Sequence, residues 1–241
     1  MSSIGLYAAR YLEWYPLKQS PDLARIACTQ ITNRLRFRAV APPFGVIHVD
    51  PHAIRWRITV HKRTWPMGLI HGGDWDHARR EPVDTPGKLA STWQRYRLGK
   101  PWIDTDIFRG TYSNVYARGG TVKGAPTLAA LATHYDHVYD SLYERISKRG
   151  FVVPTLGDPR PTFVYVHIGR GGELLFTSGG HHRLGIALAL GLRSIPVRVL
   201  TRHLEWQRLR ESFKRAAFFT ADAAPHPDVH DLLRASSAST T

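Results

Sequence analysis

The stretch that most restricts the fold runs from residue 163 to residue 200, where β-rich runs, glycines and one apolar segment alternate. Residues 163–168 and 173–176 are rich in β-branched, aromatic and leucine residues, and the glycine-rich residues 169–172 between them predict a β-hairpin. The apolar run over residues 184–192 predicts a helix, with Gly191 placed as its C-terminal cap. Residues 195–200 predict a further strand.

A glycine turn joins the hairpin to this helix. Gly179 and Gly180 stand directly before His181, His182 and Arg183. Two glycines let the backbone take positive φ and approach an anion closely, and a helix start points free N–H groups and the positive end of its dipole at the same place. Arg183 offers a planar fork and the histidines offer ring donors. The sequence therefore predicts a phosphate-binding turn, with a ligand-free tight turn as the alternative.

The order of these elements resembles the nucleotide-binding core of the ParB/sulfiredoxin superfamily. Residues 135–150 are similar to the helix that precedes the core strands in ParB-like proteins, so the resemblance covers residues 135–206. It implies an α+β fold with a small mixed sheet, flanking helices and an N-terminal α/β extension. In that superfamily a Gly-x-His-Arg segment binds nucleotide phosphates, which implies phosphate contacts from Gly179, Gly180, His181, His182 and Arg183.

One departure separates this chain from some members of the superfamily. Sulfiredoxins carry a catalytic cysteine in a Gly-Gly-Cys-His-Arg motif, and the corresponding residue here is His181. Cys28, the only cysteine, is far from the motif in sequence. Cysteine redox chemistry is therefore not expected. The resemblance leaves two uses of the pocket open, namely phosphoryl transfer from ATP, as in members that resemble free-serine kinases, and CTP binding as a clamp switch, as in chromosome-partition ParB.

A second candidate site lies at residues 71–77, where Asp74 and Asp76 flank Trp75. Two carboxylates this close could share a metal ion, orient a hydroxyl or act as acid and base. Mg²⁺ would suit them, because it is usually held by one or two carboxylates together with substrate phosphates. We expect Asp74 and Asp76 to stand near the γ-phosphate of ATP in that case. The alternative is a turn in which Asp74 caps the backbone and Trp75 is buried.

The charge balance favours anionic partners. Lys and Arg number 33 against 19 Asp and Glu, which gives a formal net charge of +14. Such an excess attracts nucleotide or nucleic acid, although no block of five or six like charges appears and an evenly spread charge is the alternative. No apolar run is long enough to span a membrane, no basic segment followed by an apolar one opens the chain, and one cysteine fits a reducing compartment. We therefore expect a cytoplasmic protein without a membrane partner.

The chain divides into three expected parts. Residues 1–40 are expected to be helical, with a helix start at residues 20–22 and apolar residues at helical spacing that face the core, among them Ile26, Ile31 and Leu35. Residues 41–222 are expected to form the nucleotide-binding domain, with an insertion around residues 71–126, and residues 223–241 a flexible tail. The glycine-rich residues 118–126 are the expected loop or hinge beside a bound nucleotide.

Three functions follow as hypotheses. The first is an ATP-dependent phosphotransferase, using ATP or another nucleoside triphosphate with Mg²⁺ and acting on a hydroxyl acceptor, in which Asp74 and Asp76 are catalytic and hold the metal. The second is a ParB-like DNA-binding protein with a regulatory nucleotide pocket, although the sequence lacks a second helix for a helix-turn-helix. The third is a ParB-like nuclease.

Overall fold

The structure is a computed structural model, and it describes residues 20–43, 45–59, 65–153, 163–177, 179–216 and 226–232. Its α-helices are α1 (Ser20–Arg36), α2 (Lys88–Arg97), α3 (Ser113–Ala117), α4 (Leu128–Tyr135), α5 (Ser141–Arg149), α6 (His181–Ala189) and α7 (Leu204–Arg215). Its strands are β1 (Val46–Val49), β2 (Trp56–Ile58), β3 (Leu69–His71), β4 (Arg80–Pro82), β5 (Val164–Ile168), β6 (Leu174–Phe176) and β7 (Ile195–His203).

The described strands form one mixed sheet, which confirms the predicted α+β class. The order is β1-β7-β5-β6-β2-β4, and β3 pairs with the far part of β7. The β5–β7, β2–β6 and β3–β7 pairs are parallel, whereas β1–β7, β5–β6 and β2–β4 are antiparallel. The long strand β7 therefore holds three neighbours together, and the predicted hairpin lies in the middle of the sheet.

The hairpin and the helix after it follow the sequence prediction. His167 pairs with Leu175 in an antiparallel register, as the glycine-rich turn between β5 and β6 requires. Helix α6 begins three residues earlier than the apolar run and ends before Gly191, which has a φ of 64°. The N–H of Gly191 donates to the carbonyl of Leu188, and that of Leu192 to Ala187, so the glycine cap is confirmed.

One face of the sheet is covered by α2 and α6. Leu89 of α2 and Leu184 of α6 pack with the buried side chains of β5 and β6 in one apolar cluster. The two helices approach closely at Gly185, where a Cβ atom would lie 2.7 Å from Cβ of Thr92 and 2.9 Å from the Leu89 carbonyl oxygen. The small residue thus lets the two helices pack closely at this point.

The expected core face of α1 is only partly confirmed. Ile26 is buried, but Ile31 and Leu35 are 60% and 83% exposed. The helix is attached instead by Asn33, whose buried amide donates to the Gly68 carbonyl at 2.8 Å. The prediction that Ile31 and Leu35 face the core was wrong, because helical spacing does not say which side of a helix meets the rest of the protein.

Residues 226–232 differ from the flexible tail that the sequence predicted. Asp228 is buried and accepts hydrogen bonds from the Arg202 guanidinium and from the Trp206 indole N–H. Arg210 lies 3.2 Å from the same carboxylate and also pairs with Asp231. These charged contacts fix the segment on β7 and α7. In the part of the chain that the structure describes, no helix is both long and apolar enough to cross a bilayer.

Candidate anion-binding site

The glycine turn before α6 is shaped by close packing on β5. Gly180 is the N-cap of α6 and has left-handed backbone angles, with a φ of 86°. A Cβ atom on Gly180 would lie 2.5 Å from the Phe163 carbonyl oxygen, and one on Gly179 would lie 2.3 Å from Cδ2 of Tyr165. Both glycines are therefore required by the fold on this side of the turn.

The first turn of α6 has no side-chain cap among the described residues. Its first intrahelical bond runs from the Leu184 N–H to the Gly180 carbonyl, so the N–H groups of residues 181–183 precede the ladder of the helix. The N–H groups and the dipole of a helix start together favour an anion. His181, His182 and Arg183 all lie on this turn and are partly exposed.

Helix α2 packs against α6 beside His182. Helix α2 begins at Lys88 after Gly87, again without a side-chain cap in the described structure. Thr92, one turn into α2, is buried and contacts His182, with 2.8 Å between Oγ1 and the ring atom Nδ1. Helix α2 thus contributes a polar contact to the ring of His182.

Lys123 reaches the same histidine from the loop at residues 118–126. It is one of two non-glycine residues with positive φ in the described chain, with a φ of 51°. Its ammonium donates to the Tyr139 hydroxyl at 2.8 Å and lies 4.8 Å from the centre of the Tyr135 ring. Tyr139 in turn packs its ring on His182, with 3.7 Å between ring centres. The predicted loop therefore lies next to the predicted turn, and it contributes a cation.

Burial and neighbouring cations lower the pKa values of this cluster. Burial lowers the pKa of His182 well below its ordinary value, and Lys123, Lys88 and His181 lower it further. Partial burial also lowers the pKa of Lys88, again with a contribution from Lys123. Among the described residues, the Lys88 and Lys123 ammoniums are cations that lower this pKa. Converging like charges disfavour one another unless an anion binds between them, and such perturbed groups cluster at functional sites.

Two π-helical turns support the aromatic wall of the site. They span Phe108–Tyr112 and Asp136–Asp140, and the second carries Tyr139. The hydroxyls of Tyr112 and Tyr135 lie 2.6 Å apart, and Trp102 packs edge-on to Tyr135. Single π turns inside helices are frequent at functional sites, because they re-aim side chains that a regular helix would direct elsewhere.

The predicted acidic pair lies elsewhere and is already engaged. The side chain of Asp76 is fully buried and accepts hydrogen bonds from Arg170 through its backbone N–H at 3.0 Å, Nε at 3.0 Å and Nη2 at 2.8 Å. Asp74 is 90% exposed and accepts a bond from the same guanidinium at 2.8 Å. Burial by itself would raise the pKa of Asp76, but the bonds from Arg170 outweigh it and lower the pKa to about 2.

The structure does not bring the acidic pair to the glycine turn. Arg170 stands in the turn after β5, whereas Gly179 bonds to Tyr165 at the start of β5. At ~3.3 Å per strand residue, the two ends of the hairpin are roughly 15 Å apart. A Mg²⁺ ion bonded to carboxylate and phosphate oxygens bridges only a few ångströms, so a metal on Asp74 and Asp76 could not also reach a phosphate at the turn. The carboxylates therefore do not fit the predicted Mg²⁺ site, and their expected place beside the γ-phosphate was wrong.

Several residues of the site were not identified from the sequence. Lys88, Thr92 and Tyr139 lie in helical segments whose sequence gives no sign of what they face. The sequence indicated the region of Lys123 but not the residue, since Lys123 lies beside Gly124 in a glycine-rich loop that was expected near a nucleotide. Of the predicted residues, His181 packs edge-on to Phe176 with 4.8 Å between ring centres, and Arg183 lies on the first turn of α6.

Comparisons with known proteins give no further assignment. No protein-family model matches the chain, and neither the curated proteins nor the solved structures contain a match to it.

Proposed function

We propose that this protein binds the phosphate groups of a nucleoside triphosphate at the start of α6, and that it transfers a phosphoryl group to a hydroxyl acceptor. The observation that carries the proposal is the proximity of Lys88 and Lys123 to His182, which lies on the first turn of α6, a turn without a side-chain cap among the described residues. The resemblance of residues 135–206 to the ParB/sulfiredoxin core agrees with this choice of ligand.

Each part of the site has a defined task in this proposal. The N–H groups of residues 181–183 donate to phosphate oxygens, and the two lysines neutralise the charge of the phosphates. Hydrogen bonds to charged groups contribute about 1.5–3 kcal/mol each, which is enough for a ligand with several phosphates to outweigh the crowding of cations. The rings of Tyr135 and Tyr139 place the Lys123 ammonium against the site.

In the proposed transfer the acceptor oxygen bonds to the terminal phosphorus, the bond from that phosphorus to its bridging oxygen breaks, the nucleoside diphosphate leaves, and the hydroxyl proton passes to solvent. Asp74 and Asp76 take no part in it, because Arg170 holds them at the far end of the hairpin. Phosphoryl transfer depends mainly on positioning and charge stabilisation, which Lys88, Lys123 and the start of α6 would supply. The exposed Cys28 fits a reducing compartment, and we propose the cytoplasm as the location.

Calorimetry with matched lysine variants tests the binding proposal. A thermal-shift panel of ATP, GTP, CTP and diphosphates first identifies a ligand, since a ligand of the native state raises the melting temperature. The double variant K88Q/K123Q should then bind that ligand at least ~10-fold more weakly, the effect of losing ~1.4 kcal/mol. The control K100Q/K148Q removes the same charge from exposed positions outside the site and should change the affinity by less than about threefold. Equal losses in both variants would overturn the proposal.

The DNA-binding alternative has less support. Arg198, Arg202 and Arg210 are buried, so part of the basic excess is not available to a phosphate backbone. A steep salt dependence of DNA binding, without nucleotide turnover, would favour it. The nuclease alternative requires cleavage that EDTA abolishes, and the described residues contain no group of three or more His, Cys, Asp or Glu side chains placed to hold a metal.

A further inference from the structure

The hydrogen bonds of Thr92 fix which nitrogen of His182 carries the proton. The Thr92 hydroxyl donates its single proton to the Lys88 carbonyl at 2.7 Å. Towards Nδ1 of His182, 2.8 Å away, the same oxygen can then only accept. Nδ1 therefore carries a proton. Since the lowered pKa keeps the ring neutral, Nε2 carries a lone pair.

The surroundings of the His182 ring explain why it stays neutral. Helix α2 contributes Lys88 and Thr92, the loop at residues 118–126 contributes Lys123, and the π turn contributes Tyr139. The neighbouring first residue of α6 is His181, and the remaining aromatic neighbours of the ring are Tyr135 and Trp102. None of these groups is an acid that could balance a charged imidazolium. A proton on Nε2 would add another positive charge to the cluster.

We propose that His182 takes up a proton at Nε2 when a dianionic phosphate group binds at the start of α6, so that the ring becomes a third cation of the site. This inference rests on the proposed phosphate binding and concerns the charge state of the same site. No covalent bond changes: the proton comes from solvent, and the product is an imidazolium paired with the bound dianion. His182 is thereby a specificity-determining residue that favours dianions over monoanions.

The physical reason is the sign of the local charge. In the free protein, the two lysines repel a proton on His182, and burial removes the water that would stabilise it. A bound dianion offsets both lysine charges, and Nε2–H can then donate a charge-assisted hydrogen bond to a ligand oxygen. A monoanion offsets the charge of only one lysine, so the other lysine still disfavours a proton on His182. Thr92 is a positioning residue, because it holds Nδ1 in the protonated form.

Sulfate is the probe that isolates this step, because it is a dianion that does not itself titrate near neutral pH. Long-range ¹⁵N–¹H correlation of the histidine rings distinguishes a protonated from an unprotonated nitrogen. In the free protein, we expect Nδ1 of His182 to be protonated and Nε2 to be unprotonated between about pH 6 and about pH 8. Saturation with sulfate at about pH 6.5 should protonate both nitrogens, and nitrate at the same occupancy should not. The sulfate Kd should fall as the pH is lowered, up to ~10-fold per pH unit for one proton.

Two variants assign the ring ¹⁵N signal and the pH dependence of sulfate binding to His182. H182Q should still fold, lose the ring signal and lose the pH dependence of sulfate binding. H181Q should retain both. If sulfate and diphosphate fail to bind the wild-type protein at all, the proposed function is overturned together with this inference. If sulfate binds while Nε2 remains unprotonated and its Kd does not change with pH, only the present inference is overturned.

Discussion

Replacing Asp76 by asparagine distinguishes an anchor of the fold from a catalytic carboxylate. The buried carboxylate accepts hydrogen bonds from three N–H groups of Arg170. It thereby holds the turn between β5 and β6 against the segment at residues 73–77. Its pKa is about 2 against 3.8 for the free group, which corresponds to a preference of about 2.4 kcal/mol for the charged form in the folded state. Arg170 is 29% exposed and water can solvate it after the substitution, so we expect D76N to lose about 2 kcal/mol of unfolding free energy.

The stabilisation that Asp76 provides should depend on pH. The folded-state pKa of Asp76 lies below the unfolded value, so the unfolded chain binds more protons in acid. The contribution is therefore fully present above about pH 4–5 and is lost as the pH falls through about 2. Urea unfolding at neutral pH should separate wild type from D76N, and the two should converge towards acid. The exposed Asp74 provides the control, and D74N should cost less than about 1 kcal/mol.

The same variants measure function as well as stability. D76N and D74N should bind a triphosphate as the wild type does at a temperature where both are folded, because the pair lies roughly 15 Å from the glycine turn. A D76N protein with wild-type stability, or one that loses triphosphate binding while remaining fully folded, would refute the assignment of Asp76 as an anchor.

Two further substitutions test the fold around the site by urea or thermal unfolding. D228N leaves the buried Arg202 and Arg210 without their shared carboxylate and should lose about 3–5 kcal/mol of unfolding free energy. D231N, at a half-exposed position, should lose less than about 1 kcal/mol. Equal losses in the two variants would contradict the buried network. G180A combines a positive φ with a clash against the Phe163 carbonyl and should lose more than about 3 kcal/mol, whereas G191A, with positive φ and open space, should lose only about 1–2 kcal/mol. Similar losses at the two glycines would show that close packing on β5 is unimportant.

The parts of the fold that the sequence predicted are those set by local chemistry. The hairpin over β5 and β6 follows from two β-rich runs and a glycine-rich turn, and the end of α6 follows from Gly191. The side of a helix that packs is decided by its neighbours instead. Ile31 and Leu35 have helical spacing, yet both are exposed, because α1 contacts the protein through Ile26 and Asn33.

In the candidate site, too, only the part set by local sequence was predicted. A phosphate-binding turn was predicted at residues 179–183, and it opens a helix that has no side-chain cap among the described residues. Lys88, Thr92 and Lys123 join it only through tertiary packing of α2 and a loop, which no local pattern encodes. The location of Asp76 was predicted wrongly because it also depends on tertiary packing. A carboxylate pair in sequence gives no sign that an arginine ninety-four residues later occupies it.

We propose that phosphate binds at the backbone N–H groups of the first turn of α6. The most direct measurement is an amide ¹⁵N–¹H correlation spectrum during titration with diphosphate. We predict that the amides of Gly180, His181, His182 and Arg183 move most, followed by Lys88 and Lys123, while those of residues 73–77 and Arg170 stay unchanged. Shifts that centre on residues 73–77, or that spread evenly over exposed lysines and arginines, would contradict phosphate binding at the start of α6.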